Sequence, residues 1–262
     1  MAYETVLYER KGRIAYITLN RPQVLNAIND TLARDVMAAF QEFDVDDEAW
    51  VAIFSGQGRC FCAGADVKQR QMLPRDQMLK RGGPGGMRQT DELLGLGRTV
   101  NWKPVIAAIH SYAVGGGFAM AMECDLVVAA EDMVFELTEL HRGLGGAQHW
   151  AKAWFWGGAR MANEFAITGK RISALESLSR GMINRVVPKE QLMAEAEQMA
   201  QDILRLPPLA VRCNVRVCRW YMRERVHQAE MYQNALKLYL TEDFEESTRA
   251  FVEKRKPIFK AK

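Results

Sequence analysis

Apolar runs of about five residues, each closed by a small or polar bend, recur along the first two thirds of the chain. Arg13 to Asn20 (RIAYITLN) is rich in β-formers and predicts a strand ended by Arg21-Pro22. Asn29-Asp30 then offers a helix cap ahead of Leu32, Val36, Ala39 and Phe40, whose spacing predicts an amphipathic helix. Trp50 to Ser55 predicts a second strand, Val105 to Ile109 a fully buried one, Leu126 to Ala130 another, and Ile183 to Val187 a last one before Pro188. Phe135 to Leu140 reads as a shorter strand leading into Gly143-Leu144-Gly145-Gly146. Residues 147 to 166 carry Trp150, Trp154, Phe155 and Trp156 in a helical setting. From Lys189 onward the pattern is helical, with breaks at Pro207-Pro208 and near Thr241-Glu242. Strand–helix units followed by an all-helical tail give an α/β class, with a boundary near residue 200.

Two stretches share a plan of strand, small-residue bend and helix start. One is Phe61-Cys62-Ala63-Gly64-Ala65-Asp66-Val67-Lys68; the other runs through His110 and Gly115-Gly116-Gly117 into Phe118 to Met122. A helix start leaves its first N–H groups without intrahelical partners and at positive potential, which suits a developing negative oxygen. The same glycines also suit a turn that packs a buried helix against a sheet. Residues 69 to 98, with Gly82-Gly83-Pro84-Gly85-Gly86, read as a loop or loosely held helix, either a substrate lid or a surface excursion.

Composition narrows the class. The chain is 48% hydrophobic and 26% charged, as ordinary globular proteins are, and its net charge of +3 does not by itself suggest a nucleic-acid partner. Five cysteines, an odd number, with no basic-then-apolar leader lead to the expectation of a reducing, cytoplasmic location. Residues 104 to 130 are apolar, but His110, three glycines, Glu123 and Asp125 interrupt them, so buried core is expected rather than a membrane span. Cys60 and Cys62 have no histidine cluster beside them, so no metal site is expected.

Motifs in order carry a resemblance. They are Leu19-Asn20-Arg21-Pro22 with Leu25-Asn26-Ala27, the 61–68 segment, Pro104 to Ile109, Ala113 to Gly117, Cys124-Asp125, Thr168-Gly169-Lys170, Gly181 to Val187 and Ala250 to Lys256. Together they resemble the crotonase (enoyl-CoA hydratase/isomerase) superfamily over essentially the whole chain. The resemblance implies an α/β fold, a crotonase-like spiral of ββα units. Residues 1–200 would form the core with an acyl-CoA site, and 201–262 a C-terminal helical region that builds a homotrimer or a dimer of trimers. It implies an acyl-CoA thioester substrate, with coenzyme A part of that substrate and no separate cofactor.

By the same resemblance the thioester oxygen sits between the N–H groups of Ala65 and Gly116, beside Gly115. The CoA portion maps onto Asn26, Ala27, Ala63, Ala65, Asp66 and Lys68, and onto Phe251 and Lys254, which would meet the CoA of a neighbouring subunit. Family hydratases commonly use two glutamates. One position is Ala119 here and cannot titrate; the other is Glu139, expected to be the acid–base residue. Glu123, one turn deeper than Ala119, is either a replacement or a structural carboxylate with a basic partner. His141 and His149 are extra acid–base groups or polar packing. A shortened, proline-free 143–148 loop bears on the acyl group accepted. Hydration of an enoyl-CoA is the expected reaction, with double-bond isomerisation as the alternative. A non-catalytic acyl-CoA- or RNA-binding role is the alternative of another class, since Arg212, Arg216, Arg219 and Arg223 recur at helical spacing. That stripe also fits arginines meeting carboxylates beside an apolar helix face.

Overall fold

The strands bury both faces or one, and this decides where each lies in the sheet. In the computed structural model, which describes residues 3–84, 93–234 and 236–262, β1 (Val6–Lys11) is exposed along most of its length and takes the edge. It pairs antiparallel with β2 (Ile14–Leu19). β3 (Val51–Gly56), β4 (Val105–Ile109), β6 (Leu126–Ala130) and β9 (Arg185–Val187) extend the sheet in parallel, in the order β1-β2-β3-β4-β6-β9. β5 (Tyr112–Val114), β7 (Val134–Glu136) and β8 (Ile172–Ser173) form a second, small sheet.

Side-chain alternation sends β4 into two cores at once. Val105, Ala107 and Ile109 join a large cluster with α1 (Asp30–Val45) and α4 (Gly116–Glu123), while Ile106 and Ala108 face α8 (Leu192–Leu204). The other helices are α2 (Val67–Arg70), α3 (Arg75–Arg81), α5 (Ala147–Gly157), α6 (Ala159–Thr168), α7 (Ala174–Ser179), α9 (Pro208–Asn234) and α10 (Glu242–Val252). None among the described residues is long and apolar enough to cross a membrane.

The central strands and the helical tail fall where the sequence places them, and Asn29 caps α1 by accepting from the Leu32 N–H at 2.8 Å. The 135–140 strand stops at Glu136 and gives way to a 3-10 turn, Leu140–Arg142. The 69–98 stretch contains α2, α3 and a 3-10 turn at Leu96–Arg98; its residues 85–92, including Gly85-Gly86, lie outside the described residues.

The arginine stripe of α9 points largely at its own chain. Buried Arg219 donates to both carboxylate oxygens of Asp125 and to the Lys103 carbonyl at 2.8 Å. Arg223 donates to the Gly97 carbonyl at 3.1 Å, and Arg216 lies over the Trp102 ring. Through these contacts the stripe ties residues 96–103 and Asp125 to α9.

Candidate active site

The site begins where β7 ends. The Gly115 N–H donates to the Glu136 carbonyl at 2.8 Å, tying the glycine triplet to the strand end. Three residues on, Glu139 opens the 140–142 turn, and the Leu144 N–H closes onto the Glu139 carbonyl at 2.9 Å. The result presses the Glu139 carboxylate against Gly115, where a Cβ would lie 2.5 Å from Oε1. Gly115 also has φ +50° and ψ −112°, a conformation side-chain-bearing residues avoid. Glycine is required there twice over.

The two bends that share a plan lie side by side. The Cys62 N–H donates to the Tyr112 carbonyl and the Val114 N–H to the Cys62 carbonyl, each at 3.0 Å. The approach continues beyond these bonds: a Cβ on Gly64 would fall 2.8 Å from the Val114 oxygen, and one on Gly117 would fall 2.6 Å from the Cys62 oxygen. Ile28 bridges the pair, since it pairs with Ala65 in a short parallel ladder while its Cδ1 rests where a Gly116 Cβ would be. Gly116 is the first residue of α4, so its N–H has no intrahelical partner. Among the described residues neither the Ala65 nor the Gly116 N–H donates to a protein acceptor.

Other residues expected at the site divide into spent and open ones. Asn26 is fully buried; its Oδ1 accepts from the Arg21 N–H and its Nδ2 donates to the carbonyls of Gln57, Cys60 and Phe61. Its side chain therefore shapes the turn, and any contact this residue makes with a ligand is through main chain. The Ala27 carbonyl accepts from the Arg21 guanidinium, which also pairs with Asp66 at 3.6 Å. Asp66 caps α2 by accepting from Gln69. Ala63 and Ala65 are half-buried, and Lys68 and Lys254 are exposed. Phe251 lies under the Arg142 guanidinium of its own chain, 3.6 Å from the ring centroid, so α10 reaches the Glu139 turn in cis.

Glu123 is a structural carboxylate. It is buried, accepts from the Leu93 and Leu94 N–H groups at 2.8 and 2.7 Å, and pairs with buried Lys152 at 3.1 Å. His141 turns away from Glu139 and packs on Gly169. His149 does the opposite. It sits in the first turn of α5, is buried and stacks on Phe118, and its Nε2 lies 3.4 Å from Glu139 Oε1. Among the described residues neither ring nitrogen completes a hydrogen bond of ordinary geometry, and Glu139 Oε2 is likewise buried without a partner. Burial pushes the His149 pKa below the ordinary 6.5, with Lys152 adding to that, against the upward pull of Glu139, the Gly115 main chain and Glu123. Trp150 stacks on Trp154, and its indole N–H donates to Asn163 Oδ1 at 2.8 Å.

A cavity of about 340 Å³ lies between α3 and α10 and is lined by Met72, Leu73, Met78, Tyr239, Phe244 and Val252 among others. It does not contain Glu139. It adjoins the site through Phe244, whose backbone N is 3.0 Å from where a Gly143 Cβ would lie.

Comparison with known proteins bears on the family and the fold. A family model described as enoyl-CoA hydratase/isomerase matches residues 9–262. The probable enoyl-CoA hydratase echA8 of Mycobacterium bovis is 34% identical over 99% of both chains. The mevalonyl-coenzyme A hydratase sidH of Aspergillus fumigatus is 37% identical over 93% of this chain and 90% of its own. A solved structure of carnitinyl-CoA hydratase from Mycobacterium avium, 30% identical, superposes over the full length of both chains with a TM-score of 0.83. The expected crotonase fold is thereby confirmed.

Proposed function

We propose that this chain, which belongs to the enoyl-CoA hydratase/isomerase family, adds water to the double bond of an enoyl-CoA thioester. The thioester oxygen accepts from the Ala65 and Gly116 N–H groups. As water attacks Cβ, Glu139 takes its proton, and electron density moves onto the thioester oxygen as an enolate. Glu139 then gives the proton to Cα, the enolate collapses, and the carboxylate is restored. Each preorganised donor aimed at such an oxygen lowers the barrier by roughly 3–4 kcal/mol. The observation that carries this reading is the Glu139 carboxylate seated against Gly115, one residue from a helix-start amide with no protein acceptor.

Coenzyme A enters as part of the substrate, and no proposed step calls on a metal or a separate cofactor. Residues 1–200 carry the acyl-CoA site, residues 201–262 mediate assembly into a trimer or a dimer of trimers, and the five free thiols fit a cytoplasmic setting.

Double-bond isomerisation is the second reading. Buried Ala119 cannot titrate, and one carboxylate suffices to carry a proton between Cα and Cγ. Incubation with 2-enoyl- and 3-enoyl-CoA in heavy-oxygen water separates the two. Label in a 3-hydroxyacyl product is the expected outcome; unlabelled migration of the double bond establishes isomerisation. Glu139→Gln is expected to lower turnover by about 10²–10⁴. A loss of less than about threefold, far short of that range, removes Glu139 from its role.

A further inference from the structure

His149 is an expensive residue to keep where it is. A buried polar group without a hydrogen bond is costly, and here an entire imidazole is enclosed with both nitrogens unmatched among the described residues. The phenyl ring of Phe118 stacks on one face, with Phe135 and Phe165 edge-on behind it. A leucine or phenylalanine would satisfy that packing without the polar cost. The charged acceptor the imidazole faces is Glu139, 3.4 Å away and, among the described residues, itself short of partners, with the Gly115 main chain beside it. Hydrogen bonds that serve chemistry are often long in the unliganded enzyme and tighten when substrate closes the site.

We infer that His149 is a positioning residue for Glu139: its neutral imidazole donates Nε2–H to Oε1 and so orients the carboxylate. This rests on the acid–base reading of Glu139 given above and adds what aims that carboxylate. Ala119 leaves no second carboxylate at its position to share the task. The donor's charge state follows from its neighbours. Lys152 on α5 opposes a positive imidazole, while Glu139 on the loop and Glu123 on α4 favour one; burial decides for the neutral form. Glu123 is largely answered by Lys152 and two main-chain amides. Arg142, the remaining charge near Glu139, is engaged with Phe251.

An imidazole that aims the carboxylate acts on the chemical step rather than on binding. His149→Phe is expected to lower kcat by about 10-fold or more with little change in KM. His149→Gln, which keeps an N–H donor at similar reach, is expected to recover most of that loss. Wild-type protein labelled with ¹⁵N-histidine supplies a readout that needs no substitution at the site. With four histidines in the chain, the His149 signals are expected to report a neutral Nε2–H tautomer at pH 7 and to move in Glu139→Gln. A kcat in His149→Phe within about threefold of wild type, a His149→Gln variant no better than His149→Phe, or an Nδ1–H or charged imidazole at pH 7, overturns the inference. Retained activity in Glu139→Gln instead overturns the reading of Glu139 itself, so the two failures are distinct.

Discussion

At Gly115 one missing methyl group separates two incompatible arrangements. A side chain there meets Glu139 Oε1 and also opposes a positive φ. Gly115→Ala is therefore expected to displace the carboxylate and tilt the neighbouring Gly116 amide together. Turnover should fall by about 10² or more, as when an oxyanion donor is lost. The backbone conformation adds a stability cost of about 1–3 kcal/mol. Parallel kinetics and urea unfolding check this; an alanine variant with wild-type turnover places the reaction elsewhere. Sequence alone offered Glu139 only by likeness to a family, because nothing in its local pattern marks a carboxylate as catalytic. His149 stood in the sequence as one of two equal histidines. What separates it from His141 is the closed 140–146 turn, which brings the first turn of α5 back onto Glu139 and sends His141 to Gly169. Ten residues of irregular chain carry no periodicity from which that return can be read.

Elements with a pattern of their own were legible and those that borrow one were not. β3, β4 and β6 are apolar on both faces and announce themselves; β1, β5 and β8 are short or exposed and owe their form to a pairing partner. Likewise, the helical setting over 147–166 is two helices, α5 and α6, split at Gly158. The join between α4 and α5 is charged: Glu123 and Lys152 pair in the interior, close behind the Phe118–His149 stack. Lys152→Met leaves Glu123 buried with two amide donors but no counter-charge. It should destabilise the fold by about 3 kcal/mol, the lower end for breaking a buried pair. The double variant with Glu123→Gln should recover part of that loss. Urea midpoints for the single and double variants decide it, and a single variant within about 0.5 kcal/mol of wild type, the range of surface substitutions, would mean the pair is not the tie it resembles.

Across the whole molecule, the parallel sheet and the small second sheet exist to bring three distant segments together: the bend after β3, the bend after β5, and the turn after β7. The helical tail then returns over that junction, with Gln233 of α9 accepting from the Ala147 N–H, Phe244 of α10 against Gly143 and Phe251 under Arg142. The fold class and the tail were readable from the order of elements, whereas the in-cis return of α10 was not. It depends on turn geometry near residues 236–241 and on contacts that no local run encodes. The measurement closest to the central claim is a crystal structure with a non-reactive acyl-CoA thioester bound. The account predicts the thioester oxygen about 2.7–3.1 Å from both the Ala65 and Gly116 amide nitrogens, with its Cα and Cβ facing Glu139. A bound thioester whose oxygen points away from either bend, or whose reacting carbons lie beyond reach of Glu139, contradicts it.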